Sequence, residues 1–163
     1  MNKLKFFTAM IALIFVDQIS KLAIVSNKSS MPKTIIKGCL SFTYCENRGI
    51  AFGIASGHVR LLSIITLLIL LAIMFCICKY FSKIGKIYAI GIILLMAGGF
   101  GNFIDRAFRL FVVDFIDIGE IIDFPIFNFA DICVVVGVIV IGIACLIGYR
   151  GDDVEDNNRG WIW

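Results

Sequence analysis

Long uninterrupted apolar stretches dominate the pattern of hydrophobic and polar positions along the chain. Leu61–Cys78, Ile87–Ile104 and Ile132–Tyr149 each hold 18 residues without a charge. At about 1.5 Å per residue, a helix of this length crosses most of a hydrocarbon core that is about 30 Å thick. A backbone inside a bilayer has to satisfy its own hydrogen bonds, so we expect these stretches to be α-helices.

A fourth apolar stretch lies near the N-terminus and becomes polar at its far end. It is apolar from Phe6 to Val16 and then carries polar residues up to Lys21. Lysines before an apolar run are typical of a secretory signal peptide, but no small-residue cleavage site follows this one. We interpret it as an uncleaved first span. The chain is then expected to form one domain, 1–163, with spans at about 4–25, 60–78, 87–105 and 129–149 and a polar tail over 150–163.

The segments that follow the first and third spans, which we call the first and second outer segments, have patterns of their own. Between about 26 and 59, Leu40, Phe42 and Tyr44 alternate with Ser, Thr and Cys, which is typical of a half-buried β-strand. A turn at 47–49 would let the chain return as a second strand over 51–54. The segment 105–128 mixes acids with Phe and Ile, which predicts a structure lying on the membrane surface.

Composition supports a membrane protein, and the charges predict its orientation. Hydrophobic residues make up 60% of the chain, the mean hydropathy is +0.98, and the formal net charge is +3. Lys and Arg are divided almost evenly between the two sides, so their total does not decide the orientation. The short loop Lys79–Lys86, however, holds three lysines and no acid. We therefore expect this loop and both termini to be cytoplasmic.

The cysteines and the single histidine do not predict a metal site or a disulfide framework. Four of the six cysteines lie in the apolar stretches, where cysteine acts as a small hydrophobic residue. Cys39 and Cys45 could pair in the first outer segment, although nothing in the sequence requires it. No Cys/His cluster has metal-ligand spacing, and His58 at a span end is typical of an interfacial residue. We expect neither a metal nor another cofactor.

Polar residues at the ends of the spans are candidate functional residues, because they are costly in a bilayer. Asp17 and Lys21 are four residues apart and lie on one helix face, so an intrahelical ion pair explains them without a further role. Asn47-Arg48-Gly49 is explained equally well by a hairpin turn.

Packing does not explain all of the polar cluster that ends the third apolar stretch. Gly98, Asn102, Asp105 and Arg106 fall on one face by helical spacing. Small residues on such a face allow close helix packing. That explanation leaves out the amide, the acid and the cation, which meet at the outer end of the span.

Two carboxylates outside the membrane boundary suggest a specific chemistry. Asp131, three residues after Asn128, is explained in part as a helix cap, but Asp114 lies between apolar neighbours and is not. Two carboxylates close together in a low dielectric share a proton, so one can take a proton from water while the other donates one. The sequence does not show that these two meet. On physical grounds other carboxylates are rivals: Asp105, Asp117 and Asp123.

Taken together, five motifs resemble the lipoprotein signal peptidase family, also called signal peptidase II. They occur in the order and with the spacing of that family, and the resemblance covers the chain up to about Tyr149. The motifs are Asp17-Gln18-Ile19-Ser20-Lys21, Asn47-x-Gly49-x-Ala51-Phe52, Gly101-Asn102-x-x-Asp105-Arg106, Val112-Val113-Asp114-Phe115 and Phe127-Asn128-x-Ala130-Asp131.

The resemblance implies an aspartic endopeptidase of the bacterial cytoplasmic membrane, with its active site toward the outer face. Members cut prolipoproteins before a cysteine that carries a diacylglyceryl group, and the cyclic peptide antibiotic globomycin occupies their catalytic pair. The pair matches Asp114 and Asp131, while Asp17 and Lys21 match a motif of mostly structural role. Further positions match residues that shape the site or bind substrate: Asn47, Gly49, Asn102, Asp105, Arg106 and Asn128.

The resemblance also implies a fold and partners. The fold is four transmembrane helices with a small outer β-sheet from the first outer segment and a short surface helix from the second. The partners are the lipidated substrate and membrane lipid, with no nucleic acid. Two other classes are compatible with the polar residues: a small ion- or proton-coupled transporter, and a membrane protein that binds lipidated chains without cutting them.

Overall fold

Four long helices and a small sheet make up the part of the chain that the structure, a computed structural model, describes: residues 1–49 and 58–148. The helices are α1 (Lys3–Ser26), α2 (Val59–Tyr80), α3 (Lys86–Arg109) and α4 (Phe129–Leu146). The strands are β1 (Lys33–Ile36), β2 (Leu40–Asn47) and β3 (Val112–Asp117). Single 3-10 turns at Lys28–Ser30 and Phe81–Lys83 follow α1 and α2.

Each of the four helices is long and apolar enough to cross a membrane. Their outer faces carry large apolar side chains, among them Phe15, Phe75 and Leu146, which are 64%, 67% and 88% exposed. Such a surface is unfavourable in water, whereas acyl chains cover it in a bilayer. The expected four-helix membrane protein is therefore confirmed.

Helices α3 and α4 pack closely because glycines remove side chains where the two backbones meet. A Cβ atom on Gly137 would lie 2.7 Å from the carbonyl oxygen of Gly91. A Cβ atom on Gly98 would overlap the carbonyl oxygen of Ala130, in the first turn of α4. Small residues thus hold the start of α4 against the C-terminal half of α3, which carries Asn102.

The sheet is antiparallel, with β2 between β1 and β3. In its register Cys45 lies opposite Asp114, and Asn47 lies opposite Val112. The strand predicted from the alternation around Phe42 is confirmed as β2. The sequence did not predict β1, and the second strand expected over 51–54 lies outside the described residues.

The second outer segment forms strand β3, so the expected surface helix is wrong. After β3 the chain makes a turn, in which the N–H of Ile121 donates to the carbonyl of Ile118 at 2.9 Å. The helix was implied by the family resemblance, whereas the apolar residues themselves predicted only a structure on the membrane surface. Val113 and Phe115 are buried with Ile24, so they cover the end of α1 beneath the sheet.

Candidate active site

Two aspartates from different elements are linked by one asparagine. Asp114 lies in β3, and Asp131 is the third residue of α4. The side-chain amide of Asn128, the residue before α4, donates to Oδ1 of Asp114 at 2.6 Å. Its backbone N–H donates to Oδ2 of Asp131 at 3.0 Å. Asn128 thus holds both members of what we call the aspartate pair, Asp114 and Asp131.

Neutral amides hold Asp114. Its Oδ2 accepts a hydrogen bond from Nδ2 of Asn47 at 2.9 Å, its Oδ1 accepts the one from Asn128, and the residue is 2% exposed. No salt bridge within 1–49 and 58–148 includes Asp114. Burial first, and the charge of Asp131 second, raise the pKa of Asp114 to about 6, against the opposing effect of the two amide bonds.

Asp131 forms part of the N-terminal cap of α4. Its N–H donates to Oδ1 of Asn128 at 3.0 Å and its Oδ2 accepts from the backbone of Asn128, which together form a capping box. The predicted helix cap is therefore confirmed. The other carboxylate oxygen, Oδ1, accepts a hydrogen bond from Nδ2 of Asn102 at 2.7 Å. Asp131 is consequently both part of a helix cap and a member of the aspartate pair.

A second group of charges, the ion cluster of Asp17, Lys21, Asp105 and Arg109, lies beside the aspartate pair. Nζ of Lys21 is 3.0 Å from Oδ2 of Asp17 and 3.1 Å from Oδ2 of Asp105, and none of these three side chains is more than 1% exposed. Arg109 pairs with the other oxygen of Asp105. The predicted pair of Asp17 and Lys21 is confirmed, and it extends to α3. Two acids and two cations leave the cluster without net charge.

The ion cluster also anchors the backbone beside each member of the aspartate pair. Oδ1 of Asp17 accepts a hydrogen bond from the N–H of Ala130 at 3.0 Å. Oδ2 of Asp105 accepts one from the N–H of Val113 at 3.1 Å. Ala130 and Val113 immediately precede Asp131 and Asp114 in the chain. Hence α1 and α3 fix the backbone at both aspartates.

A third set of contacts joins α3 to the end of β2. Nη2 of Arg106 donates to the carbonyl oxygen of Gly49 at 3.2 Å. The N–H of Gly49 donates to Oδ1 of Asn47 at 3.0 Å. With its oxygen occupied in this way, Asn47 has its NH2 group free to donate to Asp114. Arg106 and Gly49 thus help to orient a hydrogen-bond donor of the aspartate pair.

The structure brings together every predicted site residue that it describes, whereas Ala51 and Phe52 of the second motif lie outside the described residues. The rivals Asp117 and Asp123 lie elsewhere: Asp117 accepts from Oγ1 of Thr43 at 3.2 Å, and Asp123 is exposed. Within the described ranges, no three His, Cys, Asp or Glu side chains are arranged to bind a metal ion.

Sequence reasoning gave no role to two residues of this region. Gln18 donates through Nε2 to Oδ2 of Asp17 at 3.0 Å and to the carbonyl oxygen of Gly101 at 3.1 Å. Its position next to Asp17 in the first motif is the sequence feature that could have identified it. Arg109 follows Asp105 by four residues, which is ion-pair spacing on a helix.

Comparisons with known proteins agree with this geometry. A family model described as signal peptidase (SPase) II matches residues 9–147. A lipoprotein signal peptidase of Fusobacterium nucleatum is 40% identical over 79% of this chain and 78% of that protein. One of Clostridium acetobutylicum is 42% identical over 88% of this chain and 92% of that protein.

Solved structures extend the similarity to the fold. One, described as a bacterial membrane enzyme structure obtained by the in meso method at 2.3 Å, is 34% identical, with a TM-score of 0.77 over 98% of this chain and 94% of that chain. A second, so described at 1.9 Å, is 37% identical, with a TM-score of 0.76 over 87% and 92%. The comparisons give the transporter alternative no support. The chain therefore belongs to the signal peptidase II family, the aspartic lipoprotein signal peptidases of bacterial membranes.

Proposed function

We propose that the aspartate pair is the catalytic centre of this peptidase and that the enzyme removes signal peptides by cutting before a diacylglyceryl-modified cysteine. The observation that carries the proposal is the bridge through Asn128, whose side-chain amide lies 2.6 Å from Oδ1 of Asp114 and whose backbone nitrogen lies 3.0 Å from Oδ2 of Asp131. Two carboxylates held in this way by neutral donors can share one proton, as aspartic peptidases require.

The raised pKa of Asp114 suggests how the two carboxylates divide the work. We assign the shared proton to Asp114, because burial and the charge of Asp131 raise its pKa above the usual range of a carboxyl group. Water attacks the scissile carbonyl carbon and gives a proton to Asp131, while Asp114 protonates the carbonyl oxygen. When the C–N bond breaks, the amine leaves with the proton from Asp131 and the new carboxyl group returns one to Asp114.

The residues around the aspartate pair suggest how the substrate is held. Arg106 and Asn47 are partly accessible, and Gly49 is hydrogen-bonded to Arg106. We assign these three residues to contacts with the substrate backbone. Asn102 and Asn128 orient the carboxylates. Asp105 has no exposed surface, and we assign it to positioning of the site rather than to direct substrate contact.

The lipid on the substrate would place its scissile bond at the level of the aspartate pair. A diacylglyceryl chain anchors the peptide in the bilayer, so part of the orientational entropy is lost before binding. Membrane lipid is therefore a working partner of the enzyme, and the apolar helix faces would accommodate acyl chains. The cyclic peptide globomycin is proposed as an inhibitor that occupies the same site.

The orientation in the membrane is part of the proposal. Both termini and the lysine-rich loop Lys79–Lys86 would be cytoplasmic, in accordance with the positive-inside rule. The aspartate pair follows the C-terminal end of α3 and begins α4, so this topology places it at the outer face of the cytoplasmic membrane. The chain would act as one peptidase domain.

The test is cleavage of a prolipoprotein whose cysteine carries diacylglyceryl, by purified protein in lipid or detergent. We expect wild type to release the signal peptide, and Asp114→Asn and Asp131→Asn each to lower kcat by at least about 1000-fold. Asp123→Asn is the matched control, since Asp123 is an exposed aspartate of the same outer segment. Normal turnover by Asp131→Asn would refute the catalytic pair, and a wild type that binds without cutting would indicate a binding protein.

A further inference from the structure

We propose that Lys21 is a positioning residue for the aspartate pair: its ammonium group fixes the side-chain amide of Asn102 so that the amide N–H groups point at Asp131. Lys21 belongs to the ion cluster, and its bond to Asp17 accounts for a structural role. Its further contact, with Nζ 2.9 Å from Oδ1 of Asn102, leads out of the cluster toward the site. This inference rests on the proposed function, because it concerns how the proposed catalytic carboxylates are held.

The two neighbours of the Asn102 amide leave it one favourable orientation. Nζ of Lys21, on one side, can only donate hydrogen bonds, and Oδ1 of Asp131, on the other, accepts one at 2.7 Å. With its oxygen toward Lys21 and its nitrogen toward Asp131, Asn102 satisfies both. The reversed amide would place N–H groups against an ammonium group and an oxygen against a carboxylate. Lys21 therefore selects the orientation that gives Asp131 a donor.

Neutralising the charge of Lys21 does not require Asn102. Carboxylate oxygens of Asp17 and Asp105 lie 3.0 Å and 3.1 Å from the ammonium group. Asp105 also pairs with Arg109. An ammonium group has three N–H donors, and the two carboxylates use two of them. The third is directed at an amide of the site. A role limited to stabilising the ion cluster leaves this third bond unexplained.

The Asn102 amide that Lys21 contacts is also connected to Asp114, through Asn128. Oδ1 of Asn102 accepts a second hydrogen bond, from Nδ2 of Asn128 at 3.1 Å, and the same nitrogen donates to Asp114. Asn128 is fully buried, so solvent does not offer it alternative partners. Hydrogen bonds in such a chain polarise one another in a low dielectric. Lys21 thus stands at the start of a chain of donors that ends on Asp131, and Asn128, which donates to the same Asn102 oxygen, joins this network to Asp114.

The position of Lys21 predicts which kinetic constant depends on it. Its side chain has no exposed surface, so it cannot touch a substrate. Without it the Asn102 oxygen keeps only the hydrogen bond from Asn128, so the donor to Asp131 is held less firmly. Because misplacement of a reacting group by about 1 Å can cost about 100-fold, we expect Lys21→Met to lower kcat by about 100-fold. KM should stay within about twofold of its wild-type value.

A double-mutant cycle in the full-length protein separates positioning from stability. We expect Asn102→Ala to lower kcat about as much as Lys21→Met does. The kcat of the double variant should be within about twofold of either single variant, since both substitutions break the same chain of hydrogen bonds to Asp131. Folding is checked by the unfolding midpoint in the same detergent, and Lys28→Met controls for a lysine that is exposed. If the two losses multiply, or if folded Lys21→Met keeps wild-type kcat, the proposal is wrong.

Loss of Lys21 leaves a net negative charge in the ion cluster and could prevent folding. The charge-balanced pair, Asp17→Asn with Lys21→Met, is therefore compared with Asp17→Asn alone, and the same loss of kcat, about 100-fold, is expected. Equal kcat in these two proteins would overturn the proposal. Failure of the proposed function is distinct, because wild type itself would then leave the lipidated substrate uncut.

Discussion

The ion cluster and the aspartate pair are neighbouring groups that each contain two aspartates. Cations hold the aspartates of the first group, and neutral amides hold those of the second. Asp17 and Asp105 are buried against Lys21, and Arg109 adds a second cation. The aspartates of the pair, in contrast, take their side-chain donors from asparagines: Asn47, Asn102 and Asn128.

If the aspartate pair is catalytic, as we propose, this difference explains how one protein fixes some carboxylates and keeps others reactive. Asp17 and Asp105 each lie against the ammonium group of Lys21, and they also accept backbone N–H groups at α4 and β3. An amide orients a carboxylate without adding a charge. The aspartate pair can therefore exchange a proton while its geometry stays fixed.

The largest expected effect comes from breaking the ion cluster. Asp105→Asn leaves the buried Lys21 and the partly exposed Arg109 with one carboxylate fewer, and breaking a buried ion pair typically costs about 3 to 5 kcal/mol of unfolding free energy. Asp131→Asn removes one acceptor of a helix cap and should cost about 1 kcal/mol. Denaturant titration in detergent measures both, with the exposed Asp123→Asn as the control. Equal losses for Asp105 and Asp131 would contradict the distinction between the two groups.

A smaller effect is expected from pH, and it concerns the aspartate pair. The pKa of Asp114 in the folded protein, about 6, lies above its ordinary value of 3.8. Folding therefore favours the protonated form, so the stabilisation is complete below pH 3.8 and is lost as the pH rises through about 6. The shift corresponds to at most about 3 kcal/mol.

The pH prediction is tested by comparing wild type with Asp114→Asn. Between about pH 4 and about pH 7.5, the stability of wild type should fall relative to that of the variant, because the other titrating groups are common to both proteins. Thermal unfolding in one detergent over this range gives the two curves. Parallel curves would mean that the neutral form of Asp114 is not favoured by the fold.

The smallest of the three effects tests the contact between the ion cluster and the start of α4. A Cβ atom on Gly101 would lie 2.5 Å from Oδ2 of Asp17 and 3.2 Å from Cβ of Ala130. Gly101→Ala should therefore lower the unfolding free energy by about 2 kcal/mol through overpacking. Gly142→Ala is the matched control, because nothing lies within 4 Å of its Cβ position. Similar stability of the two variants would show that the contact near Asp17 is loose.

The features predicted from sequence are those that depend on local spacing. Charge-free runs of 18 residues predicted helices, and the four-residue spacing of Asp17 and Lys21 predicted their ion pair. The link from Lys21 to Asp105 was not predictable in the same way, because it joins residues far apart in the chain. The spacing of residues along the sequence does not indicate that α1 and α3 are in contact.

Strand β3 shows why the second outer segment was misjudged. Val112 to Phe115 are buried without alternation, so the pattern lacks the period of two that identifies a half-buried strand. Their pairing partner, β2, lies more than 60 residues earlier in the sequence. The encounter of Asp114 and Asp131 has the same non-local origin. The family resemblance, rather than spacing, distinguished them from Asp117 and Asp123.

The capping box at the start of α4 has a consequence for resistance to inhibitors. Asn128 and Asp131 satisfy each other's backbone N–H groups, so a substitution at either releases donors at the first turn of the helix. Loss of such a cap costs about 1 kcal/mol before any effect on activity. An antibiotic anchored on these two side chains would therefore bind where escape mutations also weaken the enzyme.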